Sequence, residues 1–384
     1  MKTILVSGGA GYVGSHTVKE LIAQKYDVIV LDNLEAGHKE SIAEGAKLEV
    51  VDLKDKEKVA KVFDKYKFDA VIDFAAYLAV GESMDEPKKY LQNNVYNFIN
   101  LLEVMAEKGC KYIIKSSTAA AYGNPTKESD VPWEEKFTDE YKPENSALLE
   151  GTFEGEKMSG EDFFQTIVEE YQNNVSNEKL KLTEEDLSKL RIPLSVYGLT
   201  KLLDEIVMNK YNELHQIKWV ALRYFNVFGA DSSGKIGEDK PNPTNLPTVC
   251  FWQILGKFPE VQIFGRDYET PDGTGIRDYI HPSDLATGHI KALEHLFAGN
   301  QPEIINLGTG KGSSVLEVVS AVEKASGKKV NAKDAPRRSG DPSISIANPS
   351  KAKEKLNWEA KYDIGQMAET AWNWHEKNPK GFSK

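Results

Sequence analysis

Apolar residues occupy the first third of the chain in short, nearly unbroken runs separated by longer amphipathic stretches. The runs are KTILVSG (2–8), DVIVLDN (27–33), KLEVVDL (47–53), DAVIDFAA (69–76) and KYIIKSST (111–118). They are rich in Val and Ile and lack the alternation of a strand with one wet face, which predicts strands covered on both sides. Between the last two runs, Tyr90, Val95, Phe98, Leu101, Leu102 and Met105 recur at helical spacing. Pro87 suits the first turn of that helix and Gly109 its stop. Strands alternating with helices predict parallel βαβ units and an α/β fold with a doubly wound, Rossmann-type sheet.

The pattern breaks off and then resumes. YGLTKLLDEIVMNKYNEL (197–214) reads as a helix, KWVALRYFNVFG (218–229) as a strand, and PEIINLGTG (302–310) as a further strand returning to the same sheet. Segments 231–281 and 311–350 hold more proline, glycine and polar loops, which predicts a smaller C-terminal α/β lobe over the carboxyl edge of the sheet. The expected division is a dinucleotide-binding domain over 1–225, which also receives 282–310, and a substrate lobe built mainly from 226–384. Residues 137–190 fit neither part and carry fourteen Asp/Glu against five Lys/Arg. Two capping signals, Ser159 with Asp162 and Thr183 with Asp186, predict a helical insertion. An apolar stripe of Phe163, Phe164, Ile167, Val168 and Tyr171 supports it.

Charge and cysteine content narrow the function classes. A net charge of −11 disfavours non-specific binding to nucleic acid or anionic membranes. No apolar run approaches a membrane span, and the apolar start of MKTILVSGGAG is too short for a signal peptide. The two cysteines, Cys110 and Cys250, lie in apolar surroundings and read as reduced buried thiols of a cytoplasmic protein.

The first strand leads directly into SGGAGYVGSH, where Gly8, Gly11 and Gly14 are spaced G-x-x-G-x-x-G. Gly9, Gly11 and Gly14 also satisfy G-x-G-x-x-G. Such glycines let backbone N–H groups approach a pyrophosphate at a helix N-terminus. Alone the triplet could be an ordinary loop. Asp32, at the end of the second strand, changes that, because a carboxylate there binds the adenosine ribose and repels a 2′-phosphate. The expected cofactor is therefore NAD, with Asp52 after the third strand placed to reach the adenine.

Tyr197 and Lys201 stand four apart at the start of a helix, hence on one face. Tyrosine is a poor base at neutral pH, with a pKa near 10, unless a cation favours its phenolate. By spacing alone the pair could be surface decoration. It occurs, however, in a chain with a dinucleotide loop and a hydroxyl cluster, Ser116, Ser117 and Thr118, closing the fifth strand.

At these residues the sequence resembles the extended short-chain dehydrogenase/reductases, and more narrowly the UDP-glucose (UDP-galactose) 4-epimerases. The resemblance covers nearly the whole chain outside 137–190. It runs through GGAGYVGSH, FAAYLAVGESM, NNV, SSTAAAYG, YGLTK, LRYFNVFGA, GED, DGTGIRDYIHPSDLATGH, NLGTG, SVLEVV and APRRSGDPSISIANPSKA. It implies that Tyr197 is general base and acid, that Lys201 lowers the tyrosine pKa and holds the nicotinamide ribose, and that Thr118 hydrogen-bonds the sugar 4-oxygen. It further assigns to NAD the positions Gly8, Gly11, Tyr12, Val13, Gly14, Asp32, Asn33, Asp52, Leu53, Phe74, Ala75, Asn93, Ser116 and Tyr224. For a UDP-sugar it implies Arg277 and Arg338 at the diphosphate, and Asn226, Asn245 and Leu246 at the diphosphate and sugar. Phe264 falls at the uracil position and Asp341 at the uridine ribose.

The implied chemistry is C4 epimerisation. Tyr197 takes the 4-hydroxyl proton, hydride leaves C4 for NAD, the 4-keto sugar turns over, and hydride returns to the other face. A homodimer through the helices at 87–108 and 197–214 is also implied. Tyr122 in AYG is read either as a structural turn or as a cofactor-edge residue. His281 reads as structural, since the seven histidines form no metal-ligand cluster.

Three features depart from the family pattern. Ser345 stands where restrictive members carry tyrosine, which points to a roomier pocket that also admits UDP-GlcNAc and UDP-GalNAc. Leu78 stands where some members place a lysine near the cofactor phosphate. The 137–190 insertion lengthens the spacing before Tyr197 and reads as peripheral decoration, a flap or an oligomer contact. Other readings are a nucleotide-sugar dehydratase, a UDP-uronic acid decarboxylase, or an NAD-sensing regulator without catalysis. A dehydratase wants an acidic pair after the hydroxyl residue, where this chain has Ala119 and Ala120. A silent regulator usually lacks the tyrosine or the lysine.

Overall fold

Seven parallel strands form the central sheet of the computed structural model: β1 (Thr3–Ser7), β2 (Asp27–Asp32), β3 (Lys47–Val50), β4 (Ala70–Asp73), β5 (Tyr112–Thr118), β6 (Lys218–Tyr224) and β7 (Glu303–Leu307). The structure describes residues 1–123, 151–153, 156–158, 160–183, 193, 195–338 and 341–382. The strand order is β7-β6-β5-β4-β1-β2-β3, so the winding reverses between β1 and β4. Loops leaving the carboxyl ends of those two strands diverge and open a crevice there.

The unbroken apolar runs have a direct cause. On β1, Leu5 packs on one face with Ile29, Val71 and Ile113, while Ile4 and Val6 pack on the other with Val28, Ile72 and Ile114. Helices Lys56–Lys65, Asn97–Lys108 and Val196–His215 contribute to the first layer. Helices Tyr12–Ala23, Pro282–Phe297 and Ser350–Leu356 contribute to the second. The exception is β3. It is one of the two edge strands, and none of its residues is fully buried, so the expectation of two covered faces fails there.

The helix expected from Pro87 to Gly109 is present but not uniform. Pro87 opens it, and Gly109 closes it in the left-handed conformation at φ 74°. Leu91–Tyr96 widens into a π-helical segment. Apolar spacing carries no signal for such a segment, because the apolar face is preserved across it. It contains the buried Asn94, whose side chain accepts from the Tyr77 N–H at 2.8 Å and donates to the Tyr77 carbonyl at 3.1 Å and Thr200 Oγ1 at 3.2 Å.

A smaller lobe is built from strands Asn226–Val227, Val261–Phe264, Ile276–Ile280, Gly312–Ser314, Ala332–Ala335 and Ile344–Ser345. Phe228, Phe251, Ile263, Val318, Met367 and Trp372 share its core. Ile276–Ile280 joins the lobe together, pairing parallel with Asn226–Val227 and Ile344–Ser345 and antiparallel with Gly312–Ser314.

Within the insertion, Gly160–Asn174 is the expected helix, followed by a 3₁₀ turn at Glu178–Leu180. An antiparallel pair, Gly151–Phe153 with Glu156–Met158, was not anticipated. Ser159, Asp186 and the side chains of Phe163 and Phe164 lie outside the described residues. The rest of the stripe is no surface decoration. Ile167, Val168, Tyr171, Val175, Leu180 and Leu182 are buried in one cluster with Phe98, Leu102, Leu202, Leu203 and Ile206. The Tyr171 hydroxyl donates to the Leu180 carbonyl at 2.9 Å, and its ring stacks on Tyr96 at 6.4 Å. Replacing Tyr171 by alanine is expected to destabilise the protein by about 3 kcal/mol through the cavity and the orphaned carbonyl. A lowered urea midpoint checks this, and an unchanged midpoint would show that the insertion is not part of the core.

Candidate functional site

Backbone proximity shapes the loop after β1. A Cβ on Gly14 would stand 2.3 Å from the Gly8 carbonyl oxygen, and one on Gly8, at φ 69°, would stand 2.7 Å from the Ala75 nitrogen. The first residue locks the turn to the helix, the second to the loop after β4. Gly11 is the N-cap of helix Tyr12–Ala23, and among the described residues no side chain caps it. Its first-turn N–H groups are therefore available to an anion.

Asp32 is buried at the end of β2 and accepts from the Ala10 N–H and the Leu34 N–H, both at 2.9 Å. Burial pushes its carboxyl up, and the two N–H groups pull it back. A carboxylate has about four acceptor sites, so positions remain for ribose hydroxyls. Asn33 donates to Asp52 at 3.1 Å, joining the ends of β2 and β3. Leu53 is buried beneath them. The glycine turn, the uncapped helix start and the Asp32 carboxylate fit a dinucleotide with free 2′- and 3′-hydroxyls. Tyr12 ties this loop to the small lobe, its hydroxyl donating to the Gly229 carbonyl at 2.5 Å. Val13 and Phe74 pack on the core beside the loop, Phe74 with its ring 4.6 Å from that of His289.

The tyrosine and lysine are delivered by helix Val196–His215. Ser195 caps it, accepting from the Gly198 N–H at 3.0 Å. Gly198 permits the approach to the turn after β5, since a Cβ there would lie 2.5 Å from the Ala120 carbonyl oxygen. Tyr197 is thereby brought beside Thr118. Burial drives the Tyr197 phenol well above its ordinary range, the neighbouring Tyr224 adds to this, and the Thr118 contact opposes it. Lys201 is fully buried and donates to the Ser116 carbonyl at 2.9 Å. Burial, and next the charge of Lys115, bring the Lys201 ammonium down to about 8. Ser116 and Tyr224 share a hydrogen bond of 2.5 Å between their hydroxyls.

In the small lobe, Arg277 pairs with Asp341 at 3.4 Å and lies opposite Ser345 in the strand register. The Arg338 guanidinium sits 3.9 Å above the Phe264 ring, a cation–π contact that covers one face of the aromatic residue expected to stack on a base. Asn226 is the strand neighbour of Tyr279, two residues from Arg277. Asn245 turns its amide inward, donating to the Val227 carbonyl at 2.8 Å, and Leu246 begins the helix that follows it. Leu78 is exposed.

Several expectations sharpen. Asn93 donates to the Asn94 side chain at 3.0 Å, and it is Asn94 that ties the π-helical segment to Tyr77 and Thr200. The Tyr122 hydroxyl donates to Asn306 at 2.7 Å and the residue is buried, which favours the structural turn. His281 is also structural. It caps helix Pro282–Phe297 through the Ser283 N–H at 3.1 Å and stacks on Tyr362 at 3.8 Å, and burial lowers its pKa to about 3. Both cysteines are free and buried.

Sequence reasoning missed the charged residues beneath the site. Lys115, Asp73 and Asp204 are all fully buried, with Lys115 Nζ 2.5 Å from Asp73 and 3.1 Å from Asp204. Beside them Arg223 makes two hydrogen bonds to Glu205, at 2.9 and 2.5 Å, and Ser117 donates to the same carboxylate at 2.6 Å. One signal was available: a lysine in an otherwise apolar strand must find buried counter-charges.

Comparison with known proteins gives matches over the whole chain. The family model described as "NAD dependent epimerase/dehydratase family" matches residues 4–177 and 169–308. The UDP-glucose 4-epimerase of Lacticaseibacillus casei is 40% identical over 381 residues, covering 99% of this chain and 98% of that protein. The crystal structure of the UDP-glucose 4-epimerase from Bifidobacterium longum in complex with NAD+ and UDP superposes with a TM-score of 0.78 at 35% identity, covering 99% of this chain and 100% of that one. The UDP-Glc/GlcNAc 4-epimerase of Campylobacter jejuni gives a TM-score of 0.73 at 34% identity, covering 98% and 100%.

The glycine geometry yields a direct test. Gly14→Ala forces the loop apart and is expected to cut the NAD retained by the purified protein by roughly tenfold or more, since misplaced N–H groups lose the pyrophosphate. Cofactor content measured after denaturation reports it, and wild-type content would contradict the assignment of this loop.

Proposed function

The chain belongs to the NAD dependent epimerase/dehydratase family, and we propose on that premise that it interconverts UDP-hexoses at C4 with bound NAD. The observation that carries this reading is the convergence of Tyr197, Thr118 and Lys201 at the carboxyl end of β5, alongside the glycine loop and Asp32. NAD, when bound, supplies a positive charge and a hydride acceptor that is restored within the same cycle. The chain's own residues do the rest. Tyr197 removes the proton of the sugar 4-hydroxyl and later returns it. Thr118 hydrogen-bonds the same oxygen and holds it in line with the phenol. Lys201 supplies positive charge near Tyr197, opposing the burial that otherwise keeps the phenol protonated.

Arg277 and Arg338 bind the substrate diphosphate, with Asp341 at the ribose and Phe264 at the base. Arg277 and Asp341 already pair, so diphosphate binding exchanges one anionic partner for another and leaves no naked cation. Ser345, opposite Arg277, leaves room for a 2-acetamido group, so the proposed substrates include UDP-GlcNAc and UDP-GalNAc. The reading places the enzyme in the cytoplasm, where reduced buried thiols such as Cys110 and Cys250 persist. Among the described residues no helix is long and apolar enough to cross a membrane. The proposed assembly is a homodimer. The contact proposed is through the helices at 87–108 and 197–214, using faces other than the one that buries Leu202, Leu203, Ile206 and Tyr211 within the chain.

Purified protein given UDP-galactose without added NAD is expected to form UDP-glucose, and no product would overturn the assignment. Tyr197→Phe should lower kcat by about 100-fold or more while the protein retains NAD. Ser345→Tyr is expected to lower turnover of UDP-GalNAc while sparing UDP-galactose, and equal effects on both would remove Ser345 as the size filter.

A further inference from the structure

Six ionisable residues are buried at and beneath the catalytic pair, each at most 2% exposed: Lys115, Lys201, Arg223, Asp73, Asp204 and Glu205. They comprise three cations and three anions. Arg223 and Glu205 satisfy each other through their two hydrogen bonds. The other four form an open arrangement. Asp73 is well held, accepting from Ser7 Oγ at 2.5 Å and the Ala75 N–H at 3.2 Å as well as from Lys115. Asp204 is not. Its ion pair with Lys115 spans 3.1 Å, but among the described residues neither of its carboxylate oxygens has a partner in hydrogen-bond geometry. It lies one turn beyond Lys201 on the same helix. Lys115 itself sits 3.7 Å over the Phe98 ring and immediately precedes Ser116, whose carbonyl receives the Lys201 ammonium.

We propose that Lys115, clamped between Asp73 and Asp204, is a positioning residue that sets the charge state of Lys201 and keeps its ammonium on the Ser116 carbonyl. The groups bearing on Lys201 have opposite effects. From β5, Lys115 opposes its protonation; Asp73 on β4 and Asp204 and Glu205 on its own helix favour it. Next to these groups, Tyr224 on β6 bonds the Ser116 hydroxyl and Arg223 on β6 holds Glu205. Lys115 also absorbs the pull of Asp204. Without it, an under-bonded carboxylate one turn away would compete with the Ser116 carbonyl for the Lys201 ammonium.

The consequence is a pH limit on turnover. This inference rests on Tyr197 and Lys201 acting as proposed above. Lys201 must be protonated to favour the Tyr197 phenolate, so activity falls as pH rises through the Lys201 pKa. Removing the Lys115 charge raises that pKa, and removing the Asp204 charge lowers it.

The test is the pH profile of kcat at saturating UDP-galactose, on protein whose bound NAD confirms folding. Lys115→Met should move the alkaline limb up by about one pH unit, and Asp204→Asn should move it down by about one. The double variant Lys115→Met with Asp204→Leu removes the pair together and should return the limb towards its wild-type position. Shifts in opposite directions support the proposal. An unmoved limb with a uniformly lower kcat, or shifts in the same direction, would overturn it and leave a purely structural role. If Lys115→Met does not fold, the near-isosteric Asp204→Asn decides alone, its limb moving down or staying put. Failure of the epimerase reading is separable, since it would show as no turnover by the wild type at any pH.

Discussion

Charges cannot be left unpaired inside a protein, and the ground beneath this active site is made of charges. Losing one member of a buried pair typically costs about 3–5 kcal/mol, so each member constrains the position of the next. Asp73 ends β4, Lys115 lies in β5, Arg223 lies in β6, and Asp204 with Glu205 lies on the helix that carries Tyr197 and Lys201. Pairing them fixes the height and rotation of that helix over the sheet. Thr118 and Tyr197, the hydroxyls proposed to meet the substrate, adjoin this array.

The second constraint is backbone proximity at the reversal of winding. The turn after β1 passes so close to the loop after β4 that Gly8 can be nothing larger, and the same holds between Gly14 and the turn itself. That closeness leaves the helix start uncapped and Asp32 at the rim. A helix end fit for an anion and a carboxylate fit for a ribose thus arise from one geometric fact, the divergence of chains at β1 and β4. Arg277, proposed for the diphosphate, comes from the other lobe, on a strand that pairs with Asn226–Val227 only two residues beyond the end of β6. The short link limits how far the lobe can move from the sheet.

The acidic insertion changes meaning once its packing is known. Its helix places Ile167, Val168 and Tyr171 in the same core that holds the inner face of the Tyr197 helix. It therefore helps to hold the helix that carries Tyr197 and Lys201, together with the buried charges.

Much of this was written in local sequence. Continuous apolar runs announced strands covered on both faces, and Pro87 and Gly109 bounded a helix, because these signals act within a few residues of chain. The glycine loop, Asp32 and the Tyr197–Lys201 spacing were legible for the same reason. Other features were decided only when distant segments met. The edge position of β3, the π-helical segment around Asn94 and the inward turn of Asn245 each depend on a neighbour far away in the chain. The pairing of Lys115 with Asp73 and Asp204 is the clearest case. Sequence showed only a lysine in a strand that ought to be apolar; which carboxylates answered it, and that one of them stands a turn from Lys201, followed from three elements packing together. Local chemistry determined what kind of site this chain could build, and tertiary packing decided which buried charges stand behind it, because an electrostatic partner is set by distance in space and not along the chain.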